Sequence, residues 1–324
     1  MSPASHTLNA EESNLKETAH TFGGAWTTQK LEILQKYLAA YSTALAKQPF
    51  KKVYIDAFAG TGYRENSISK AKKKTGQETD GENADQPSLL DSLAGSESSE
   101  SVQGFLDGSA IVALKSQPAF DEYIFIEQSP SRCKSLEMLK SEFPLASKKI
   151  FVERADANTF IQALCKQNWN NRRGVLFLDP YGAQVNWATI EAISETKAID
   201  LWVLFPLSGV NRMLTQSGDI DPKWRLRLNE IFGTTGWEQE LYQRDEKPSL
   251  FEESEQRIIK ATTTAISDYF LKRLQTCFPF VAPKPAVLYN SKLSPLFLFC
   301  FAAGNPNGGP IALKIAKHIL KMGM

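Results

Sequence analysis

Apolar residues recur at Leu31, Leu34, Leu38, Tyr41 and Leu45, the spacing of one helical face, with Thr27 or Thr28 as candidate cap and Pro49 beyond the end. The pattern then changes. Val53-Tyr54-Ile55-Asp56-Ala57-Phe58 reads as a buried strand entering the turn Ala59-Gly60-Thr61-Gly62, and Gly108-Ser109-Ala110 opens a short helix through Leu114. Further strands are expected at Tyr123 to Glu127, Ile150 to Arg154 and Gly174 to Asp179, with helical segments between them. A fifth, Leu201 to Phe205, follows the amphipathic segment Trp187 to Ala198. Alternating strands and helices predict an α/β chain with a mostly parallel, doubly wound sheet covered on both faces.

Beyond the last of these strands, residues 207–280 read mainly as helix, with Trp224, Leu226, Leu228 and Ile231 on one segment and Ile258 to Leu274 on another, and suggest a helical cap insertion. Ala286 to Asn290 and Leu296 to Ala302 then form a C-terminal β-hairpin, followed by a last helix from Ile311 to Lys321. The expected organisation is a flexible polar segment over 1–26, a core over 27–206, the cap over 207–280, and strands and helix over 281–324 that complete the core. Residues 66–107 interrupt the core with Ser, Gly, Glu, Asp and Lys and few large apolar groups, as a low-complexity surface insertion would.

Composition narrows the chemistry. A chain of 324 residues, 42% hydrophobic and 23% charged, can bury a sizeable core, and 37 basic against 36 acidic residues exclude a generally basic nucleic-acid binder without excluding a local patch. Histidines occur only at His6, His20 and His318, so Ser-His-Asp and Cys-His sites have few candidates. Cys133, Cys165, Cys277 and Cys300 are far apart and form no metal-binding spacing; no metal is expected. Met1 to Lys16 lacks a signal-peptide apolar core, and the longest apolar run, Leu296 to Ala303, is too short for a membrane span, so a cytoplasmic location is expected.

Three expected strands have an acid at or just past the carboxyl end, Glu127, Asp156 and Asp179, and in parallel sheets the ligand crevice lies outside those ends. The turn from Asp56 through Phe58 to Gly60 and Gly62 offers backbone that a ligand can approach closely. It lacks the Lys of a phosphate loop, and Glu65 stands where a dinucleotide fingerprint has its third glycine. Glu127 has the two coplanar oxygens that suit ribose hydroxyls, and Asp156 suits an adenine amine; the alternative for each is a solvated strand-end acid. In Asp179-Pro180-Tyr181-Gly182, the acid and the Pro180 carbonyl can accept N–H bonds from an aromatic amine while Tyr181 stacks on its ring. Alternatively, Asp179-Pro180 opens a turn and Tyr181 packs beneath it. Arg212, Lys223, Arg225 and Arg227 near Trp224 suit phosphate contact plus stacking, or form a solvated helix face around a core tryptophan.

The pair Asp56-Ala57-Phe58-Ala59-Gly60-Thr61-Gly62 and Asp179-Pro180-Tyr181-Gly182 resembles motifs I and IV of class I S-adenosylmethionine-dependent methyltransferases. With Leu176 to Gly182, Trp187 to Ala192, Thr196 to Pro206 and Gly209-Val210-Asn211-Arg212, the chain resembles the bacterial three-Cys-motif partner family (TcmP) from about Thr27 to Leu320, the insertion aside. The resemblance implies a Rossmann-like class I methyltransferase fold and S-adenosylmethionine as cofactor. It places Asp56, Phe58, Gly60 and Gly62 near the methionine portion, Glu127 at the ribose and Asp156 at the adenine. It also implies a three-Cys-motif protein encoded nearby as partner. Asp179, Pro180 and Tyr181 are the candidate catalytic residues, Arg212 and Trp224 the candidate substrate contacts, and an amino group of a nucleic-acid base a candidate acceptor. Base-modifying amino methyltransferases commonly carry two prolines in the second motif where this chain has one, which shifts the tyrosine by one position. A non-catalytic assembly partner in a mobile-element or defence system is the alternative, and nucleotide hydrolysis at the Gly60 turn ranks last.

Overall fold

The computed structural model describes residues 25–64, 106–244 and 258–322. The expected flexible segment over 1–26 lies outside these residues except for its last two, which are helical, and the 66–107 insertion lies outside except at its end. Helix α1 (Ala25–Ala44) precedes β1 (Lys51–Asp56), a two-strand ribbon of β2 (Tyr63–Arg64) and β3 (Leu106–Asp107), α2 (Ser109–Lys115) and β4 (Glu122–Glu127). Then come α3 (Pro130–Glu142), β5 (Ile150–Arg154), α4 (Ala157–Cys165), β6 (Arg172–Leu178), α5 (Trp187–Glu195) and β7 (Ile199–Phe205). Helices α6 (Leu207–Met213), α7 (Pro222–Phe232) and α8 (Trp237–Leu241) follow, then a ribbon of β8 (Tyr242–Arg244) and β9 (Ile258–Lys260), and α9 (Thr263–Cys277). The chain closes with β10 (Phe280–Val281), β11 (Ala286–Tyr289), β12 (Pro295–Ala303) and α10 (Gly309–Met322).

Eight strands form one sheet in the order β10-β12-β7-β6-β1-β4-β5, with β11 also on β12. The pairings β5–β4–β1–β6–β7 are parallel, and β12 is antiparallel to β7 and to β10 and β11. The fold is therefore α/β and Rossmann-like: the sheet is mostly parallel, it carries the expected C-terminal hairpin, and its strand order reverses between β1 and β6, where such sheets bind ligands.

Alternation along the strands builds the two faces. Val53 and Ile55 of β1 enter a core with α4, α5, α7 and α9, whereas Tyr54 enters one with α1, α2, α3 and α10. Both faces are covered, so the strands read as nearly continuous apolar runs. The buried hydrophobic residues described between 207 and 278 belong to the first of these cores: Phe270 of α9 stacks on Phe205 of β7 with ring centroids 4.0 Å apart.

Several sequence expectations shift. Thr27 and Thr28 lie inside α1, which already includes Ala25, so neither caps it. Leu226 is exposed because α7 turns Leu228, Ile231 and Phe232 inward at i, i+3 and i+4, and Leu226 falls on the opposite side. Ile258 begins a ribbon strand rather than a helix; α9 starts after Thr262, whose side chain accepts the Ala265 N–H. Among the described residues no helix is long and apolar enough to cross a membrane.

Candidate functional site

The turn after β1 is tied down by its neighbours. Ala57 N–H donates to the Phe177 carbonyl, Ala59 N–H to the Ile126 carbonyl, and Gly60 N–H to Glu127 Oε2 at 3.2 Å. Gly60 sits at φ +62°, where an L-residue is strained; its missing Cβ would have room, with the Tyr181 hydroxyl 3.9 Å away. Gly62, at φ +82°, packs instead against α3: a Cβ there would stand 3.0 Å from Leu139 Cδ1. Gly62 therefore serves helix packing and contributes no wall to the crevice beside this turn.

That crevice, of about 1080 Å³, opens beyond the carboxyl ends of β1, β4, β5 and β6, and is lined by Phe58, Glu127, Arg132, Asp156, Tyr181 and Arg227, among others. Glu127 is 7% exposed. Its Oε1 accepts the Ser129 N–H at 2.9 Å and its Oε2 the Gly60 N–H, while Arg132 lies 3.8 Å from Oε1. An ionised carboxylate offers about four acceptor positions, so lone pairs remain for ligand hydroxyls. Asp156 caps α4, its Oδ1 taking Thr159 N–H and Oγ–H at 2.9 Å, and Gln128 Nε2 reaches its Oδ2 at 3.2 Å. Asn158 forms another part of the wall and bonds Gln184, Asn186 and Thr189, fixing the loop after Tyr181.

Asp56 does not reach this crevice. It is wholly buried under the turn and accepts from Tyr54 Oη and Phe58 N–H, each at 3.3 Å, and from the Ser109 side chain. Burial, reinforced by the charge of Asp179 and opposed by these bonds, pushes its carboxyl up to about 7. It is thus a buried anchor of the turn.

Asp179 is held by a residue the sequence did not point to. Lys30 of α1, with a side chain 7% exposed, places Nζ 2.5 Å from Asp179 Oδ2 and 4.9 Å from the centre of the Trp26 ring. Pro180 is buried and lines a separate small cavity. Tyr181 is 55% exposed and projects into the crevice, with the Arg132 guanidinium 5.2 Å from its ring centre. It does not pack beneath the turn.

Gly60, Asp179, Pro180, Arg212 and Trp224 are not among the crevice-lining residues, although Asp179 and Pro180 directly precede Tyr181, which is. Arg212 is partly buried, which lowers its pKa, and Trp224 packs on the core. From the same helix as Trp224 it is Arg227 that lines the crevice, bonded to the Ala183 carbonyl, Asn186 Oδ1 and Glu230. Arg225 instead pairs with Glu238 at 2.8 Å. Arg132 was legible in principle, since it opens the helix after the strand that ends in Glu127; nothing in the α1 stripe distinguishes Lys30. Among the described residues no three His, Cys, Asp or Glu side chains cluster as a metal would require, and the four cysteines are free.

No family model matches the chain, and no curated protein does. Similar solved structures include protein LPL1258 from Legionella pneumophila, of family DUF519, at 16% identity over 93% of this chain and 92% of that one, with TM-score 0.43. Another is the magnesium protoporphyrin IX methyltransferase of Synechocystis with bound S-adenosylmethionine, at 11% identity over 80% and 87%, with TM-score 0.26. A third is a putative methyltransferase, yhhF, from Escherichia coli, at 13% identity over 53% and 70%, with TM-score 0.26. These likenesses are remote; strand order and winding define the fold here.

Proposed function

We propose that the protein is an S-adenosylmethionine-dependent methyltransferase. The observation that carries this reading is that Glu127, Asp156 and Tyr181, from the ends of three parallel strands, line one crevice at the point where the strand order reverses. Its volume is ample for a nucleoside-sized cofactor, and its donors and acceptors suit one: Glu127 for the ribose hydroxyls, Asp156 for an exocyclic adenine amine, Phe58 for an apolar flank. When bound, the cofactor supplies an electrophilic methyl on a sulfonium.

The chain's own part would be positioning. Lys30 holds one oxygen of Asp179, so the other can accept an N–H from the acceptor and orient its lone pair toward the methyl. The exposed ring of Tyr181 offers a stacking surface, which favours an aromatic amine such as a nucleic-acid base. Asp179 or water would take the proton that an acceptor amine sheds on methylation. A labelled-methyl assay against DNA, RNA and cell lysate tests this. Incorporation that falls at least tenfold in Asp179→Asn is expected; incorporation untouched by that change would exclude the assigned role.

A second reading draws on the same Lys30–Asp179 contact. If the ion pair closes the acceptor position, the fold binds cofactor without transferring methyl and serves as an assembly module, with a three-Cys-motif protein as the partner the family resemblance suggests. Cofactor binding, no transfer to any acceptor, and co-purification of that protein would favour it.

A further inference from the structure

A second cavity, of about 410 Å³, lies at the opposite end of the sheet, where β6 and β7 begin. The end of α1 and the start of α10 form its sides, with Tyr41, Ala44 and Leu45 facing Ile311, Ala312 and Ile315. Asp200, the second residue of β7 and 6% exposed, lines its wall. Tyr37 donates to Asp200 Oδ2 at 2.6 Å, and no described residue donates to the other oxygen. A buried carboxylate with one neutral partner is costly to keep charged, and a cation is the chemistry that completes it.

Arg173 lines the same cavity, with one of its three nitrogens committed to backbone carbonyls. Its Nη1 donates to the carbonyls of Trp169, Asn170 and Arg172, and its guanidinium lies 3.8 Å from the centre of the Phe50 ring. We propose that this cavity is a binding site for a small organic cation, an amine or amidine on a compact apolar or aromatic body, with Asp200 as its counter-ion and Tyr41 and the α10 side chains as its apolar walls. The volume is at the small end for ligand sites, so a single ring with a short cationic arm matches it. Such a site would sit at the far end of the sheet from the crevice and does not depend on the methyltransferase reading.

Burial holds the Asp200 carboxyl up to about 7, opposed by its bond to Tyr37. The other titratable or charged groups facing it are Tyr41 on α1 and Arg173 on β6; the α10 residues of the wall are apolar. A cation should therefore bind more tightly at pH 8 than at pH 6.

Calorimetric titration with benzamidine and with its neutral isostere benzamide is the test. At pH 8, one-site binding of benzamidine in the roughly millimolar range is expected, about tenfold tighter than benzamide. Asp200→Asn, which can still accept from Tyr37, should erase the preference, and Ala44→Trp, at an exposed position on the rim, should block both probes. Far-UV circular dichroism checks that each variant is folded. Equal affinity for the two probes, a preference that survives Asp200→Asn, or no binding of benzamidine at about 10 mM would overturn the proposal.

Discussion

Lys30 and Asp179, 149 residues apart in sequence, meet with Nζ 2.5 Å from Oδ2 at the carboxyl end of β6. The contact joins the first described helix to the acidic strand end of the second motif, and it neutralises a carboxylate whose charge also bears on Asp56. With side chains 7% and 21% exposed, the pair is shielded from solvent enough to matter to both stability and chemistry.

Lys30→Met therefore leaves Asp179 without its partner and should cost about 2 kcal/mol in urea unfolding, less than for a fully buried pair because Asp179 is partly solvated. Lys30→Arg should recover most of that loss. If methyl transfer is found, Lys30→Met should lower its rate while leaving cofactor affinity within about threefold. Unchanged stability and unchanged rate together would show that Lys30 neither anchors Asp179 nor supports transfer.

Two buried carboxyls give stability a definite pH dependence. Asp56 and Asp200 both titrate at about 7 when folded, burial being the main cause, and near 4 when unfolded. Between those values the folded state binds more protons, so their contribution is full below about pH 4, is lost as pH rises toward 7, and levels off above it. Asp56→Asn and Asp200→Asn should each flatten the curve relative to the parent. Urea midpoints at pH 5 and pH 8 measure it, and parallel curves for parent and variants would contradict the burial argument.

The glycines of the first turn should separate by mechanism. Gly60→Ala meets only the backbone strain of φ +62°, since the added carbon has space, and should cost about 1 kcal/mol. Gly62→Ala adds a contact at 3.0 Å with Leu139 to a similar strain and should cost about 2–3 kcal/mol. Equal losses in denaturant titrations would show that packing against α3 does not constrain the turn.

Much of this was legible from local pattern. The parallel strands were readable because both sheet faces are covered, leaving unbroken apolar runs such as Leu176-Phe177-Leu178 between polar turns. Strand ends also located Glu127 and Asp156, since the geometry of a parallel sheet sends its carboxyl ends to one side. Residue type alone misled at Asp56, which looks like a ligand contact but is folded beneath the turn by the bonds from Tyr54 and Phe58. Trp224 and Arg227 lie three apart on α7, and only the docking of that helix decides that the arginine reaches the crevice. Lys30 was invisible because its partner is set by tertiary packing of α1, to which spacing along the chain has no access.

The proposed S-adenosylmethionine would lie between Phe58, Glu127 and Asp156. Titration calorimetry with S-adenosylhomocysteine, the demethylated form that keeps the same ribose and adenine, tests this. One-to-one binding is expected, weakened about tenfold or more by Glu127→Ala and by Asp156→Ala, with Arg212→Ala as an unaffected control. Absence of binding to the folded protein, or binding indifferent to both carboxylates, would contradict it.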